Sequence, residues 1–97
     1  MTEPERAVIT VTELNEYIKS LLDGDAILKK IAVKGEISNF RPNSSGHLYF
    51  TLKDEGGAVR CVMFRALAQK LKFTPENGMK VIAVGGVSSF VRDGQYQ

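Results

Sequence analysis

The sequence predicts a mainly β domain with two helices, and three observations lead to that prediction. A stretch near the N-terminus repeats apolar residues at helical spacing. The segments that follow alternate apolar and polar residues with period two, and clusters of turn formers separate them. The length of 97 residues, with 43% hydrophobic and 25% charged side chains, fits one compact folded domain.

The first predicted element is an amphipathic helix over residues 12–23. Thr12 is the predicted N-cap residue with Glu13 in the first turn, and the Asp-Gly-Asp run at 23–25 supplies the stop signal. The apolar face of this helix consists of Leu14, Tyr17, Ile18, Leu21 and Leu22. Residues 1–11 are predicted to be a flexible N-terminus, and 12–97 to be the folded domain.

Three strands are predicted next. Period-two alternation begins at Leu28 and predicts a first strand ending near Asn39, followed by a flexible loop over 41–46. The second strand is predicted over 47–53, and a tight hairpin at 54–57 connects it to a third strand over 58–64. The inner faces of the hairpin are predicted to carry Leu48, Phe50, Leu52, Val59, Cys61 and Met63.

A short helix is predicted after the hairpin, from the apolar residues between 66 and 73, and the run 74–78 ends it. A strand over 80–90 follows, bent at Gly85-Gly86, and the turn at 92–94 leads into the start of a fifth strand that the chain does not finish. This order, with a helix between strands three and four, is that of a five-stranded oligonucleotide-binding (OB) barrel. A plain antiparallel α+β sheet shares the early elements.

Composition and charge limit the possible functions. The net charge of +2 gives no global field toward a polyanion, so any basic surface is local. The single cysteine excludes an internal disulfide and a multi-cysteine metal cage, and it favours a reducing compartment. The N-terminus lacks the pattern of a secretory signal, and the longest apolar run is too short to span a bilayer. We therefore expect a soluble cytoplasmic protein with no membrane partner.

The predicted sheet has one exposed face on which aromatic and cationic side chains alternate. Single strands of nucleic acid use such a face, because bases stack on rings while cations accompany phosphates. A helix or a partner domain could cover these aromatics instead, and Tyr49 could form a cross-strand packing pair with Phe64; the interleaved cations favour nucleic acid. The predicted nucleic-acid-binding residues are His47, Tyr49, Lys53, Arg60 and Phe64 on the strands, with Phe40, Arg41, Arg92 and Tyr96 in the flanking loops.

The sequence indicates no catalytic centre, metal site or cofactor in this segment. His47 has no second histidine to share a metal, and Asp54 and Glu55 belong to a turn. Cys61 occupies an inward strand position among apolar neighbours, where a cysteine is more often a small buried hydrophobe than a reactive thiol.

Several in-order motifs resemble one family. They are Gly35-Glu36-Ile37-Ser38-Asn39-Phe40, Gly46-His47-Leu48-Tyr49-Phe50-Thr51-Leu52-Lys53-Asp54 and Cys61-Val62-Met63-Phe64-Arg65, with Val11-Thr12-Glu13-Leu14-Asn15 and Gly94-Gln95-Tyr96-Gln97 at the two ends. Together they look like the N-terminal domain of the exodeoxyribonuclease VII large subunit. Where relatives often carry tyrosine this chain has Phe90, so a hydrogen bond from that position is not expected.

That resemblance implies an OB fold that binds single-stranded DNA, in a bacterial cytoplasmic nuclease that trims single strands to short oligonucleotides. It also implies a small-subunit partner. In the family, the nuclease centre and the region that recruits small subunits lie C-terminal to this domain, so the segment itself is expected to be inactive.

Two other functions stay open from the residues alone: an RNA-binding OB module of the anticodon-binding kind, and an OB domain that only docks proteins. The unfinished fifth strand leaves the fourth strand with an unpaired edge. We therefore expect the isolated segment to dimerise or swap segments through that edge.

Overall fold

The computed structural model describes residues 6–97. The predicted mainly β fold is confirmed, with three helices rather than two. The flexible N-terminus predicted over 1–11 falls partly outside the described residues, and residues 6–10 precede the first helix. In chain order the elements are α1 Val11–Gly24, α2 Ala26–Lys29, β1 Ile31–Pro42, β2 Leu48–Lys53, β3 Ala58–Met63, α3 Arg65–Ala68, β4 Lys80–Gly85, β5 Ser89–Phe90 and β6 Gln95–Tyr96.

Helix α1 begins one residue earlier than predicted, because its N-cap is Thr10 and not Thr12. The Thr10 hydroxyl oxygen accepts the backbone N–H of Glu13 at 3.0 Å. The Glu13 carboxylate in turn accepts the backbone N–H of Thr10 at 3.1 Å. This reciprocal capping box satisfies two N–H groups that the first turn leaves without partners, which Thr12 could not do from inside the helix.

The short helix α2 was not predicted, and it contains Leu28, the predicted start of the period-two pattern. Asp25 creates it: the Oδ1 atom accepts the backbone N–H groups of Ile27 and Leu28, at 2.9 and 3.0 Å. A carboxylate that caps one turn of helix overrides an alternation that begins only three residues later. Strand β1 therefore starts at Ile31.

Four antiparallel strands form the main sheet in the order β3-β2-β1-β4. The first half of β1 pairs with β4, from Ile31 opposite Gly85 to Glu36 opposite Lys80. Its second half pairs with β2. One long strand that serves two neighbours in succession is how an OB sheet curls, so the predicted topology is confirmed, although the barrel is not closed within residues 6–97.

Strand β1 is longer than predicted: it extends past Asn39 to Pro42. A bulge between Ser38 and Arg41 shifts the register against β2, and Asn39 there adopts a φ of 49°. Asparagine tolerates this left-handed conformation better than most residues. The bulge carries the strand through a stretch whose composition resembles a loop, so Arg41 lies in the sheet and the true loop is 43–47.

The segment after β3 is less helical than predicted. Helix α3 covers only Arg65–Ala68, and the rest of the predicted helix, including Leu71 and Phe73, lies outside it. Two backbone bonds then tie the chain to β1: Gly78 donates its N–H to the Ile37 carbonyl, and Ile37 donates its N–H to the Met79 carbonyl, each at 2.8 Å.

The strand predicted over 80–90 is interrupted at its two glycines and becomes β4 and β5. A Cβ on Gly86 would lie 2.9 Å from the Lys29 carbonyl oxygen, so only glycine fits where the chain passes the end of α2. Val87 N–H then donates to the Leu28 carbonyl at 2.7 Å. Beyond this crossing β5 pairs with β6 in a separate two-stranded sheet, around the predicted turn.

The core lies on the concave side of the main sheet. Ile37 and Leu52 are 3% and 2% exposed, and they are the buried hydrophobic residues of the described chain. Most other inward side chains, among them Leu48, Phe50 and Val59, are half-buried around a cavity of about 550 Å³. The inward face was predicted correctly, and the cavity is the interior of the open barrel. No helix within residues 6–97 is long and apolar enough to cross a membrane.

Candidate nucleic-acid interface

Tyr49 is an exposed aromatic in the middle of the outer sheet face. It lies on β2, with Arg41 of β1 opposite it on one side and Val62 of β3 on the other. Tyr49 is 39% exposed. The register places Val62, and not Phe64, directly opposite Tyr49, so a Tyr49–Phe64 contact would have to be diagonal. On its other side the ring has a cation beside it, Arg41.

Phe64 is the second exposed aromatic, and it lies just past the end of β3 rather than within the strand as predicted. Its carbonyl accepts the N–H groups of Leu67 and Ala68, so Phe64 is the N-cap of α3. The His47 ring meets the Phe64 ring edge to face, with 5.4 Å between the centroids and 90° between the planes. Phe64 nevertheless remains 53% exposed. The contact holds the ring and leaves much of its surface accessible.

His47 contacts its neighbours inside the protein. Its Nδ1 atom accepts the backbone N–H of Arg65 at 2.9 Å. A neutral ring that accepts at Nδ1 carries its proton on Nε2, which is the nitrogen left for another partner. The structure thus gives His47 a clear role in joining the 43–47 loop to α3, while a direct contact with nucleic acid stays a prediction.

Two of the predicted cations differ in their surroundings. Lys53 lies opposite Glu36 in the β1–β2 register, and its Nζ is 3.7 Å from Glu36 Oε2. Arg60 is exposed on β3 and has Thr51 opposite it. Glu36 therefore partly neutralises Lys53, whereas Arg60 forms no ion pair within residues 6–97.

Phe40 occupies the bulge of β1 and is half-buried. Its backbone N–H donates to Asn77 Oδ1 at 2.9 Å, so the segment before β4 holds the bulge in place. Phe40 and Arg41 therefore belong to the edge of the sheet face and not to a free loop.

The β5–β6 hairpin carries the remaining two predicted residues, Arg92 and Tyr96, both exposed. It lies in its own small sheet, so the structure does not place these residues on the β2–β3 face. Tyr96 lines a cavity of about 240 Å³ at the end of β2, together with Lys53 and the inward residues Leu52 and Val59.

Helix α1 holds this hairpin through side chains that the sequence did not single out. Asn15 Nδ2 donates to the Val91 carbonyl at 2.8 Å. Ser88 Oγ donates to Asp23 Oδ1 at 2.6 Å, and Lys19 forms an ion pair with the same carboxylate. The hydrogen bond from Lys19, and to a smaller extent the one from Ser88, holds the pKa of Asp23 below its ordinary value. Asn15 belongs to the Val11–Asn15 motif of the sequence, but that motif gives no sign of a contact with the hairpin.

Within residues 6–97, no group of three His, Cys, Asp or Glu side chains is arranged to hold a metal ion. Cys61 is half-buried on the inner face, and burial raises the pKa of its thiol, which keeps it protonated and weakly nucleophilic.

The fold and this face define an OB-type domain, and residues 9–97 match the family described as "OB-fold nucleic acid binding domain". The chain belongs to that family. Among curated proteins it is 62% identical over 90 residues to the "Exodeoxyribonuclease 7 large subunit" of Clostridium acetobutylicum, a match that covers 93% of this chain and 23% of the relative.

Two further relatives carry the same name. The one from Clostridium tetani is 53% identical over 93% of this chain and 23% of its own length. The one from Ruminiclostridium cellulolyticum is also 53% identical over 93% of this chain, and over 22% of its own length. The resemblance predicted from the motifs is thus confirmed, and the chain spans just under a quarter of the length of these relatives.

Proposed function

We propose that this domain binds single-stranded DNA and presents it to a nuclease centre elsewhere in a longer parent chain, which degrades the strand to short oligonucleotides. The observation that carries the proposal is the exposure of Tyr49 on a sheet face that also carries Arg41 and Arg60, with the exposed Phe64 directly after β3. Rings and cations alternate there as a single strand requires. The name of the relatives supports DNA as the polymer and exonucleolytic hydrolysis as the activity of the parent.

In this proposal each side chain has a distinct task. Tyr49 and Phe64 stack bases, while Arg41, Arg60 and, less strongly, Lys53 accompany the phosphates. Phe40 limits one side of the path at the β1 bulge, and the hairpin with Arg92 and Tyr96 limits the other. The segment contributes no catalytic residue and no cofactor, and hydrolysis takes place in the part of the parent outside residues 1–97.

The partners follow from the same relationship. We propose that the parent assembles with the small subunit of exodeoxyribonuclease VII through the region outside this segment, and that it works in the cytoplasm. We also propose that isolated copies of residues 1–97 pair through their open edges, since β3 and β4 both have an unpaired side within the described sheet. Light scattering should show a dimer at high concentration, and a monomer throughout would contradict the pairing.

The experiment that tests the function is a side-by-side titration at moderate salt. Fluorescently labelled single-stranded DNA, RNA of the same sequence and duplex DNA are each titrated with the domain, and anisotropy is recorded. Single-stranded DNA should bind most tightly, with an affinity that falls as salt rises. Tighter binding of RNA would favour the anticodon-binding type of module. Indifference to all three ligands would favour a protein-docking domain.

A further inference from the structure

The 43–47 loop holds one more cation beside the aromatic face. Gly46 has a φ of 92°, and a Cβ added there would lie 2.8 Å from both Cγ and Cδ of Arg65. The aliphatic part of the Arg65 side chain therefore packs on the Gly46 backbone. On the main-chain side, the Arg65 N–H donates to His47 Nδ1 at 2.9 Å. Two adjacent loop residues thus fix both the backbone and the stem of Arg65.

The charged end of Arg65 is still available. Arg65 is exposed, and the ion pairs found among residues 6–97 are Lys19 with Asp23 and Lys53 with Glu36, so no carboxylate of the described chain neutralises it. Arg65 also directly follows Phe64, whose ring the same histidine contacts. An arginine with a restrained stem loses less conformational entropy when its guanidinium binds a phosphate.

We infer that Arg65 is a phosphate-binding residue of the single-strand path, and that Gly46 and His47 position it next to the base that stacks on Phe64. This inference rests on the proposed function and adds a residue that the sequence pattern did not place in the site. The planar guanidinium donates two parallel hydrogen bonds to one phosphate, so geometry as well as charge matters here. His47 acts through Arg65 and Phe64 and is a positioning residue.

The main test compares Arg65→Gln with Lys30→Gln. Lys30 is an exposed cation just before β1, at the other end of that strand from the 43–47 loop, so both variants lose one charge. Affinity for fluorescent oligo-dT is measured over a series of salt concentrations. Arg65→Gln should weaken binding about five- to tenfold and lower the log-log salt slope by roughly 0.7, while Lys30→Gln should change the slope little. The slope does not depend on the fraction of active protein, so it remains valid if a variant folds incompletely.

Positioning is tested with three conservative variants. Arg65→Lys keeps the charge without the fork, and should restore the salt slope but only part of the affinity. His47→Asn keeps an acceptor for the Arg65 N–H, and His47→Phe keeps an aromatic edge for Phe64. Each should retain more affinity than His47→Ala, and none should alter the slope as Arg65→Gln does.

The outcomes separate the two proposals. If oligo-dT binds and Phe64→Ala weakens binding, but Arg65→Gln behaves like Lys30→Gln, the role of Arg65 is refuted and the function of the domain stands. If the unaltered domain does not bind oligo-dT, both proposals fall.

Discussion

The two ends of the candidate interface are built differently. At one end, Tyr49 lies inside a four-stranded sheet with a neighbour on each side, and His47 fixes Phe64 and Arg65 through a ring contact and a hydrogen bond. At the other end, Arg92 and Tyr96 belong to a hairpin of two-residue strands that α1 holds mainly by side-chain hydrogen bonds. The first end is preorganised by the pairing of four strands and by two contacts of His47, and the second depends on a few polar side chains.

This difference predicts a division of labour. A preformed surface loses little entropy on binding, so most of the affinity should come from the β2–β3 end. The hairpin can move without unfolding the sheet. It should therefore contribute less to the affinity and more to keeping the bound DNA strand in place.

The largest expected effect concerns the two aromatics. Tyr49→Ala or Phe64→Ala should each weaken single-stranded DNA binding by about 1–3 kcal/mol, because base stacking on a ring is worth that much. Tyr17→Ala is the control, since Tyr17 is an aromatic residue that is 60% exposed and lies on α1 rather than on the sheet. Binding isotherms that are unchanged in both variants would rule out the stacking face.

The next effect separates two cations on the same face. Arg60→Gln should lower the log-log salt slope by roughly 0.7, the value for one lost phosphate contact on a single strand. Lys53→Gln should lower it less, because Glu36 already lies 3.7 Å from the Lys53 ammonium. Equal changes in slope would show that the Lys53–Glu36 ion pair opens when DNA binds. An unchanged slope in both variants would show that neither residue contacts a phosphate.

A smaller effect is expected when the hairpin is released from α1. Asn15→Ala removes the hydrogen bond to the Val91 carbonyl, which is worth about 1 kcal/mol. Amide exchange in the β5–β6 hairpin should speed up while exchange in β2 stays unchanged, and affinity for DNA should fall by less than in Phe64→Ala. Glu16→Ala, on the exposed side of α1, is the control. A loss of protection throughout the sheet would mean that the two ends are not independent.

The smallest effect depends on pH. The Asp23 pKa is lowered in the folded protein, so its contribution is complete above the unfolded pKa and disappears as pH falls through the lowered folded value. On acidification the Ser88 and Tyr96 amide resonances should therefore shift in a step that Asp23→Asn lacks, while Tyr49 stays still. A step that persists in Asp23→Asn would have another origin.

The sequence predicted the parts of the fold that depend on local alternation. Both β2 and its inward face were predicted from the alternation of Leu48, Phe50 and Leu52. The break after β4 was predicted from Gly85-Gly86. The capping box of Thr10 and the one-turn helix capped by Asp25 were not predicted, because apolar periodicity does not show which side-chain oxygen accepts which backbone N–H group. The length of β1 was not predicted either, because β1 continues to pair with β2 beyond the bulge at Asn39, through residues that are typical of a loop.

The candidate site was predicted as a set of residue types and not as a geometry. Alternation along β2 and β3 was enough to place Tyr49 and Arg60 outward. The residue opposite Tyr49 depends on the β2–β3 register, which the 54–57 turn fixes. In this register the opposite residue is Val62. The contact of His47 with Arg65 joins residues 18 positions apart, and no local pattern reports such a pair.

One exposed region offers a different function, and a single measurement distinguishes it from the β2–β3 face. The apolar face of α1 remains uncovered at Leu14, Tyr17 and Leu21, which are 44%, 60% and 56% exposed, so a protein-docking domain would use that helix. The measurement is an amide chemical-shift map of the labelled domain titrated with oligo-dT. We predict perturbations at Tyr49, Arg60, Phe64 and Arg65, with smaller ones in the β5–β6 hairpin. Shifts confined to α1, or none at saturating DNA, would contradict a single-strand binding role for this face.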